Sequence, residues 1–512
     1  MLKRCQLPGG VRRGYVLFAV LIVITVLTLV AYQYAEAMTA QHGAAVRSQN
    51  AEQAKANAVS GLHWACACLA DPNNAGLDFS DNPGLFSNQS VGGNAGKFTL
   101  FNVANSGDGS NTFTVKYGLA DESAKININA LIALDPTGNV LNTALLTLPN
   151  MTANIADAIT DWVDSDSTAR PSGAEDDTYM ALSTPYHIKN GPISSLEELL
   201  MVQEMTPELL YGADRNRNGV QDTAETPGGG TFDRGWSEFL TCYGRELNTD
   251  SAGVQRTNIN GTDLAATAAA LTAALGQEVS DYIMYFRFSS NGTATAPLTK
   301  TQVSAPVGSL SDLVKTPITN NAPIRRQLSS VMSVAGTQIP LPRVNDSPPD
   351  APTRVVASPF NDSAVLAKVA RVLLDKFTTR DDFELTPRIN VNTAPQEVLA
   401  ALPGLSSADV STLIGSRTLT AGDDTAAWAI SAASLSPAKF RLLERYVGGR
   451  SGVYRVHSVG YGEKAGGPVA RVEAVIEFVN VPDANGNLVG RPRIVQYHEL
   501  NDLGRGFDTL PR

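Results

Sequence analysis

The sequence predicts an α+β fold: a long N-terminal helix, transmembrane then amphipathic, packed on an antiparallel sheet, with a large, mostly helical domain inserted between the early and late strands. Three observations carry this. An uncharged run from Tyr15 to Ala35 leads into alanine-rich sequence with no proline before Pro72. Alternating apolar segments separated by turn residues lie at 97–121 and 452–480, with helical patterning between them. One motif, an alternating stretch that opens a helix, occurs twice, as "KININA" and "RINVNTA".

The N-terminus justifies the helix. "MLKRCQLPGGVRRG" carries four positive charges and no acid, and the basic flank should stay cytoplasmic. The apolar run that follows is long enough to cross a bilayer and longer than the core of a secretory signal peptide. A plain membrane anchor fits the length but leaves Gly14 without a role. A leader cut between Gly14 and Tyr15 uses it, and leaves the apolar helix on the mature chain. From Ala35 to Ala70 spaced apolar positions continue the helix as an amphipathic one, to be ended by Pro72.

Composition narrows the function. The 512 residues have room for about two to four domains. Lys and Arg number 40 against 50 Asp and Glu, a net charge of −10, which argues against a nucleic-acid partner. The five histidines show no zinc-type spacing, and neither a nucleophile elbow nor a P-loop is present; no enzymatic activity is expected. The glycines of "GYGEKAG" fall inside the second predicted hairpin and read as its turn.

"DRNRNGVQDTAE", residues 214–225, fits a calcium loop. Ca²⁺ takes roughly six to eight oxygens, supplied in an EF-hand from loop positions one, three, five, seven, nine and twelve around a glycine at six. Those places hold Asp214, Asn216, Asn218, the Val220 carbonyl, Asp222 and Glu225, with Gly219 at the turn. Helix is expected before the loop, but "TPGGGTFDRGW" supplies none directly after it, so the loop reads as one static structural site and not a sensor. Upstream, "DWVDSDSTARPSGAEDDTY" gathers Asp161, Asp164, Asp166, Glu175, Asp176 and Asp177. Like charges this dense are costly unless water or a cation intervenes; the alternative is a solvated acidic loop.

Several segments together carry a family resemblance. "GLADESAKININA" (118–130), "AITDWVDSD" (158–166), "GAEDDTY" (173–179), "IKNGPISSLEELL" (188–200) and "RINVNTAPQEVLAALPGL" (388–405) occur in order, and with the leader they resemble the K-type minor pseudopilin of type II secretion, general secretion pathway protein K. Most pilins carry Glu at the fifth mature position and K-type members lack it; counted from Tyr15, that position is Ala19. The resemblance implies a pilin-like sheet, a prepilin peptidase acting between Gly14 and Tyr15 with N-methylation of Tyr15, and a single-pass inner-membrane protein with its bulk in the periplasm. It also implies structural Ca²⁺ at the 214 loop and the 161–177 region, and a place at the pseudopilus tip with the I- and J-type minor pseudopilins. Two readings of other classes stand beside it: a membrane-anchored calcium-binding envelope module, and a helix-hairpin-helix DNA-binding protein of a pilus or competence machine.

The expected order is a leader at 1–14, transmembrane and periplasmic helix at 15–71, and the first part of the β domain at 72–125. An inserted helical subdomain with the calcium loops follows at 126–250, then a second helical region and Pro-rich linker at 251–387. A helix-hairpin-helix (SAM-like) subdomain at 388–450 and C-terminal strands at 451–512 complete it. In the second motif copy, Thr393 and Gln396 form an expected capping box with Pro395 near the first helical position, and Ser406 with Asp409 a second. Ser195 with Glu198 repeats the pattern. The hairpin "LPGLSSADVSTLIGSR" has no lysine, and only Arg417 is close, which favours packing over phosphate binding. Cys66, Cys68 and Cys242 remain after leader removal; a Cys242 bridge to Cys66 or Cys68 and three buried thiols are both open.

Overall fold

The computed structural model describes residues 13–74, 77–93, 96–105, 113–219, 221, 225, 233–288, 310–319, 324–340, 355–417, 425–463, 467–482 and 488–504. Helix α1 runs unbroken over Arg13–Ala70, 58 residues, or about 87 Å at 1.5 Å per residue. Its apolar half is exposed on every side: no residue of its most apolar 18-residue window is buried. From Ala54 onward one face becomes buried, at Ala54, Ala58, Leu62, Ala65 and Cys68. This is the 3.6-residue spacing of a helix lying on a surface.

That surface is an antiparallel sheet made from both ends of the chain. Its strands are β1 (Gln89–Val91), β2 (Gly96–Asn105), β3 (Phe113–Lys116), β4 (Ala120–Asp121), β5 (Val453–Tyr461), β6 (Val469–Pro482) and β7 (Leu488–Glu499). The path is β1-β2-β5-β6-β7, with β3 pairing the far half of β2 and β4 pairing β5. The expected hairpins at 97–121 and 452–480, and the last strand in "RPRIVQYHEL", are all present. A register shift between Val475 and Ile476 marks a bulge in the β6–β7 ladder.

Small residues let α1 approach the sheet. A Cβ on Gly460 would stand 2.1 Å from the Ala54 carbonyl oxygen, and one on Gly61 2.4 Å from Ser458 Oγ. The Ser458 hydroxyl donates to the Ala58 carbonyl at 2.7 Å and the Asn57 amide to the Tyr461 carbonyl at 3.1 Å. A Gly460→Val protein should therefore lose about 1–3 kcal/mol of stability through overpacking, read as a lower denaturation midpoint; an unchanged midpoint would mean that α1 does not rest here.

The described residues between β4 and β5 form the insert. One hydrophobic cluster runs through it from Ile126 to Val447, while a second joins α1 to the sheet. The repeated motif has a common physical form. Ile126–Asn127 pairs in parallel with Leu240–Thr241, and Ile389–Asn390 with Val447–Gly448; each two-residue bridge then feeds a helix, Ile128–Leu134 or Gln396–Ala400.

The caps differ from expectation at two of three places. Ser406 and Asp409 form the box. Thr393 and Gln396 do not: the cap residue is Pro395, with no side-chain bond, because the Thr393 hydroxyl is drawn to Asp121. Ser195 likewise makes no side-chain cap, and Leu196–Met201 is a 3₁₀ turn. Glu198 is occupied instead by the Trp162 indole, the Ser194 amide and Lys189. The second helical region expected within 251–387 contains two helices, Leu264–Leu275 and Gln277–Phe288, parted at Gly276 with φ +90°.

Candidate cation sites and the junction beneath them

Helix Ala153–Val163, capped by Thr152, delivers the first acidic residues to a loop that returns to it. Of the six acids expected there, three converge: one carboxylate oxygen each from Asp164, Asp166 and Glu175 lie within 4.8 Å of one another. Asp164 and Glu175 are buried, and among the described residues Asp164 Oδ1 and both Glu175 oxygens have no hydrogen-bond partner. Burial, then the neighbouring carboxylates, pushes Asp164 up to about 6 and Glu175 up to about 7. Asp166 is exposed, and its Oδ1 accepts from the Thr168 amide at 2.8 Å. Two buried carboxylates with orphaned oxygens and a third open to solvent make an oxygen-only donor set of the kind a hard cation such as Ca²⁺ takes, so the three residues fit the group.

The other three acids do different work. Asp161 is fully buried and accepts from the Arg170 amide at 3.1 Å. A Cβ on Gly173 would sit 1.9 Å from its Oδ2, so it folds the return loop. Asp176 accepts from the Ile188 amide at 3.0 Å beside His187, and Asp177 faces solvent.

A stability–pH signature follows. Both raised carboxyls hold their protons in the native state at pH values where the unfolded chain has lost them. The two carboxyls should therefore take stability from the apo protein as pH rises from about 4 to about 7, a loss partly offset by His457, which burial holds down to about 4 and which adds stability over the same window. Saturating Ca²⁺, which needs the ionised forms, should remove that loss. Thermal melts across this range with chelator or Ca²⁺ check it; a chelator curve rising over the same window would contradict the assigned protonation.

The 214 loop lies against the sheet. Asp214, Asn218 and Glu225 are buried. Asp214 Oδ1 accepts from the Asn218 amide at 2.9 Å and Oδ2 from the Gly219 amide at 2.8 Å; Glu225 Oε1 accepts from the Asn216 amide at 3.1 Å. Arg217 and Gly219 take positive φ, +53° and +74°, at the tight turn of the loop. Burial pushes Asp214 up, against the Arg234 guanidinium 3.8 Å away. These donors suit Ca²⁺ as well; Val220 and Asp222 lie outside the described residues.

A buried ionic network joins insert to sheet. Glu122, just past β4, is fully buried and meets Arg455 of β5 at 2.6 Å, Lys125 at 3.1 Å and the Thr241 hydroxyl at 2.8 Å. Arg455 also pairs with Glu473 of β6. Burial opposes ionisation of Glu122, but Arg455 and Lys125 outweigh it and hold the carboxyl far below its usual range. Next to it, Asp121 accepts from Asn390 at 2.7 Å, Ser451 at 2.6 Å and the Ser123 amide at 2.8 Å, tying the second motif copy to β4. Sequence reasoning missed these residues, although a charge at Arg455 in the alternating "VYRVHSVGY" was a visible signal.

Of the two cysteine readings left open, the structure has the thiols apart. Cys66, Cys68 and Cys242 are all free: Cys68 belongs to the cluster under α1 and Cys242 to the core of the insert, so each is a small apolar filler of a different core.

Comparisons with known proteins bear on the same regions. Residues 124–213 and 389–439 match two family models, each described as type II secretion system (T2SS), protein K. The first contains the Asp164/Asp166/Glu175 group, and each contains one copy of most of the repeated motif. Type II secretion system protein K of Pectobacterium carotovorum subsp. carotovorum is 40% identical over 55 residues, 11% of this chain. The match spans only 17% of that relative's length. Among solved structures, the GspK-GspI-GspJ complex of the type 2 secretion system from enterotoxigenic Escherichia coli is similar at 11% identity, with 90% of this chain and 99% of that chain covered and a TM-score of 0.38; at that score the superposition carries no argument.

Proposed function

We infer that the chain belongs to the type II secretion system protein K family and works as a minor pseudopilin. The observation that carries this is the pair of family segments, 124–213 and 389–439, in order. They sit in the insert of a sheet on which the second half of an apolar-tipped helix lies. The role is structural: α1 holds the protein in the inner membrane, and the sheet and insert stand in the periplasm. Prepilin peptidase would cut between Gly14 and Tyr15 and leave Tyr15 N-methylated.

A tip position follows from two features. Ala19 replaces the glutamate that pairs with a neighbouring subunit's N-terminal amine in most pilins, and the bulk of the insert leaves little room for another subunit above. We place I- and J-type minor pseudopilins as the partners. Co-expression tests this: the chain should co-purify with both as one equimolar complex, and failure to bind either would contradict the tip assignment.

Ca²⁺ is the proposed structural ion, held by Asp164, Asp166 and Glu175 and by Asp214, Asn216, Asn218 and Glu225 with Val220 and Asp222. It would neutralise carboxylates that fold the insert. The second motif copy, helices Gln396–Ala400 and Ser407–Gly415 about the 401–406 turn, is proposed as a helix-hairpin-helix unit whose nearby cations are engaged: Arg417 with the Val391 and Ala394 carbonyls, Lys439 with Asp409 at 2.6 Å. Packing, not phosphate binding, is its proposed work.

A further inference from the structure

A side chain from a distant part of the sequence holds the 214 loop to the sheet. Arg471, on β6, is 1% exposed, and 255 residues separate it from Asn216. Its Nη1 and Nη2 each donate to the Asn216 carbonyl at 3.2 Å, and Nη2 also to the Arg217 carbonyl at 3.0 Å. The loop is seated at a second point, where a Cβ on Gly219 would lie 2.5 Å from Val103 Cγ2 of β2.

The peptide planes make this more than a contact. The Arg217–Asn218 peptide accepts from Arg471 at its carbonyl and donates from the Asn218 amide to Asp214 Oδ1 at 2.9 Å. The Asn216–Arg217 peptide accepts from Arg471 in the same way, while the Arg217 amide donates back to the Asp214 carbonyl at 3.3 Å. Each peptide unit is planar and rigid. Turning a carbonyl away from Arg471 therefore turns the opposite N–H away from Asp214, the first ligand of the loop.

We propose that Arg471 is a positioning residue for the cation at the 214 loop, through which ion binding and the seating of the insert on the sheet are coupled. The inference rests on the reading of 214–225 as a Ca²⁺ loop. Linkage makes the coupling reciprocal: whatever the sheet adds to ion affinity, the ion adds to the hold of the insert on the sheet. The sign of the effect is diagnostic. Arg471 is a cation near a cation site, so on charge alone its removal should tighten Ca²⁺; a positioning role demands the opposite.

The test is calcium titration calorimetry on the full chain in detergent, with Asp214→Ala defining which heat belongs to this loop. Arg471→Met should weaken that site about 10- to 100-fold, the range for residues that orient ligands. Arg471→Lys should also weaken it, because an ammonium keeps the charge and loses the planar fork. Val103→Ala, which carries no charge change and keeps the protein testable if Arg471→Met does not fold, should weaken it severalfold. Equal or tighter binding in the Arg471 and Val103 variants would overturn the proposal while leaving the calcium loop standing. Identical titrations for the wild type and Asp214→Ala would remove the calcium loop itself, and the proposal with it.

Discussion

Replacing Arg455 with Met should cost about 3–5 kcal/mol of stability, the range for breaking a buried ion pair by removing one partner. The substitution strands Glu122, fully buried and otherwise held only by Lys125 and Thr241, together with Glu473 on the next strand. Denaturant unfolding should show the loss as a lower midpoint. Adding Glu122→Gln and Glu473→Gln to Arg455→Met should recover much of it, since the stranded charges are then gone. A single variant as stable as the wild type would mean that the junction is wetter and looser than its geometry.

Removing the proposed calcium is the second large effect expected. An ion that binds only the folded chain stabilises it by RT ln(1 + [L]/Kd), about 2.7 kcal/mol for each site at a hundredfold excess over Kd. Chelator should therefore lower the melting midpoint of the wild type by several degrees. In an Asp214→Ala/Glu225→Ala variant the response should shrink to that of the Asp164/Asp166/Glu175 group. Melts of both proteins with and without chelator measure this, and a wild-type midpoint indifferent to chelator would reduce both acidic sites to solvated carboxylates.

The sequence made the framework legible because its signals are local. An uncharged run, a proline-free helix and alternating strands state their structure within about a dozen residues, and the inserted position of the helices followed from strands at both ends. What stayed hidden was long-range. Thr393 carries the right residue type for a helix cap, yet Asp121, far earlier in the chain, takes its hydroxyl. Glu198 has the right spacing from Ser195 but is drawn to Trp162 and Lys189.

The acidic region shows the same limit. Six carboxylates in one stretch gave no means of separating the three that meet from Asp161, which is spent on folding its own return loop, and from Asp176 and Asp177, which point elsewhere. The state of Cys242 was open in the sequence for a related reason: pairing needs two thiols in one core, and spacing says nothing about which core each enters. Arg471 offered no local pattern at all, since its partners are backbone carbonyls of another segment.

The most direct test of the pseudopilin assignment is the mature N-terminus, read by sequencing and intact mass from cells that carry a prepilin peptidase, with Gly14→Ala alongside. The expected result is a wild-type chain that begins at an N-methylated Tyr15 and a Gly14→Ala chain that keeps its leader. A wild-type chain that begins at Met1 or near Ala37, or normal processing of Gly14→Ala, would contradict it.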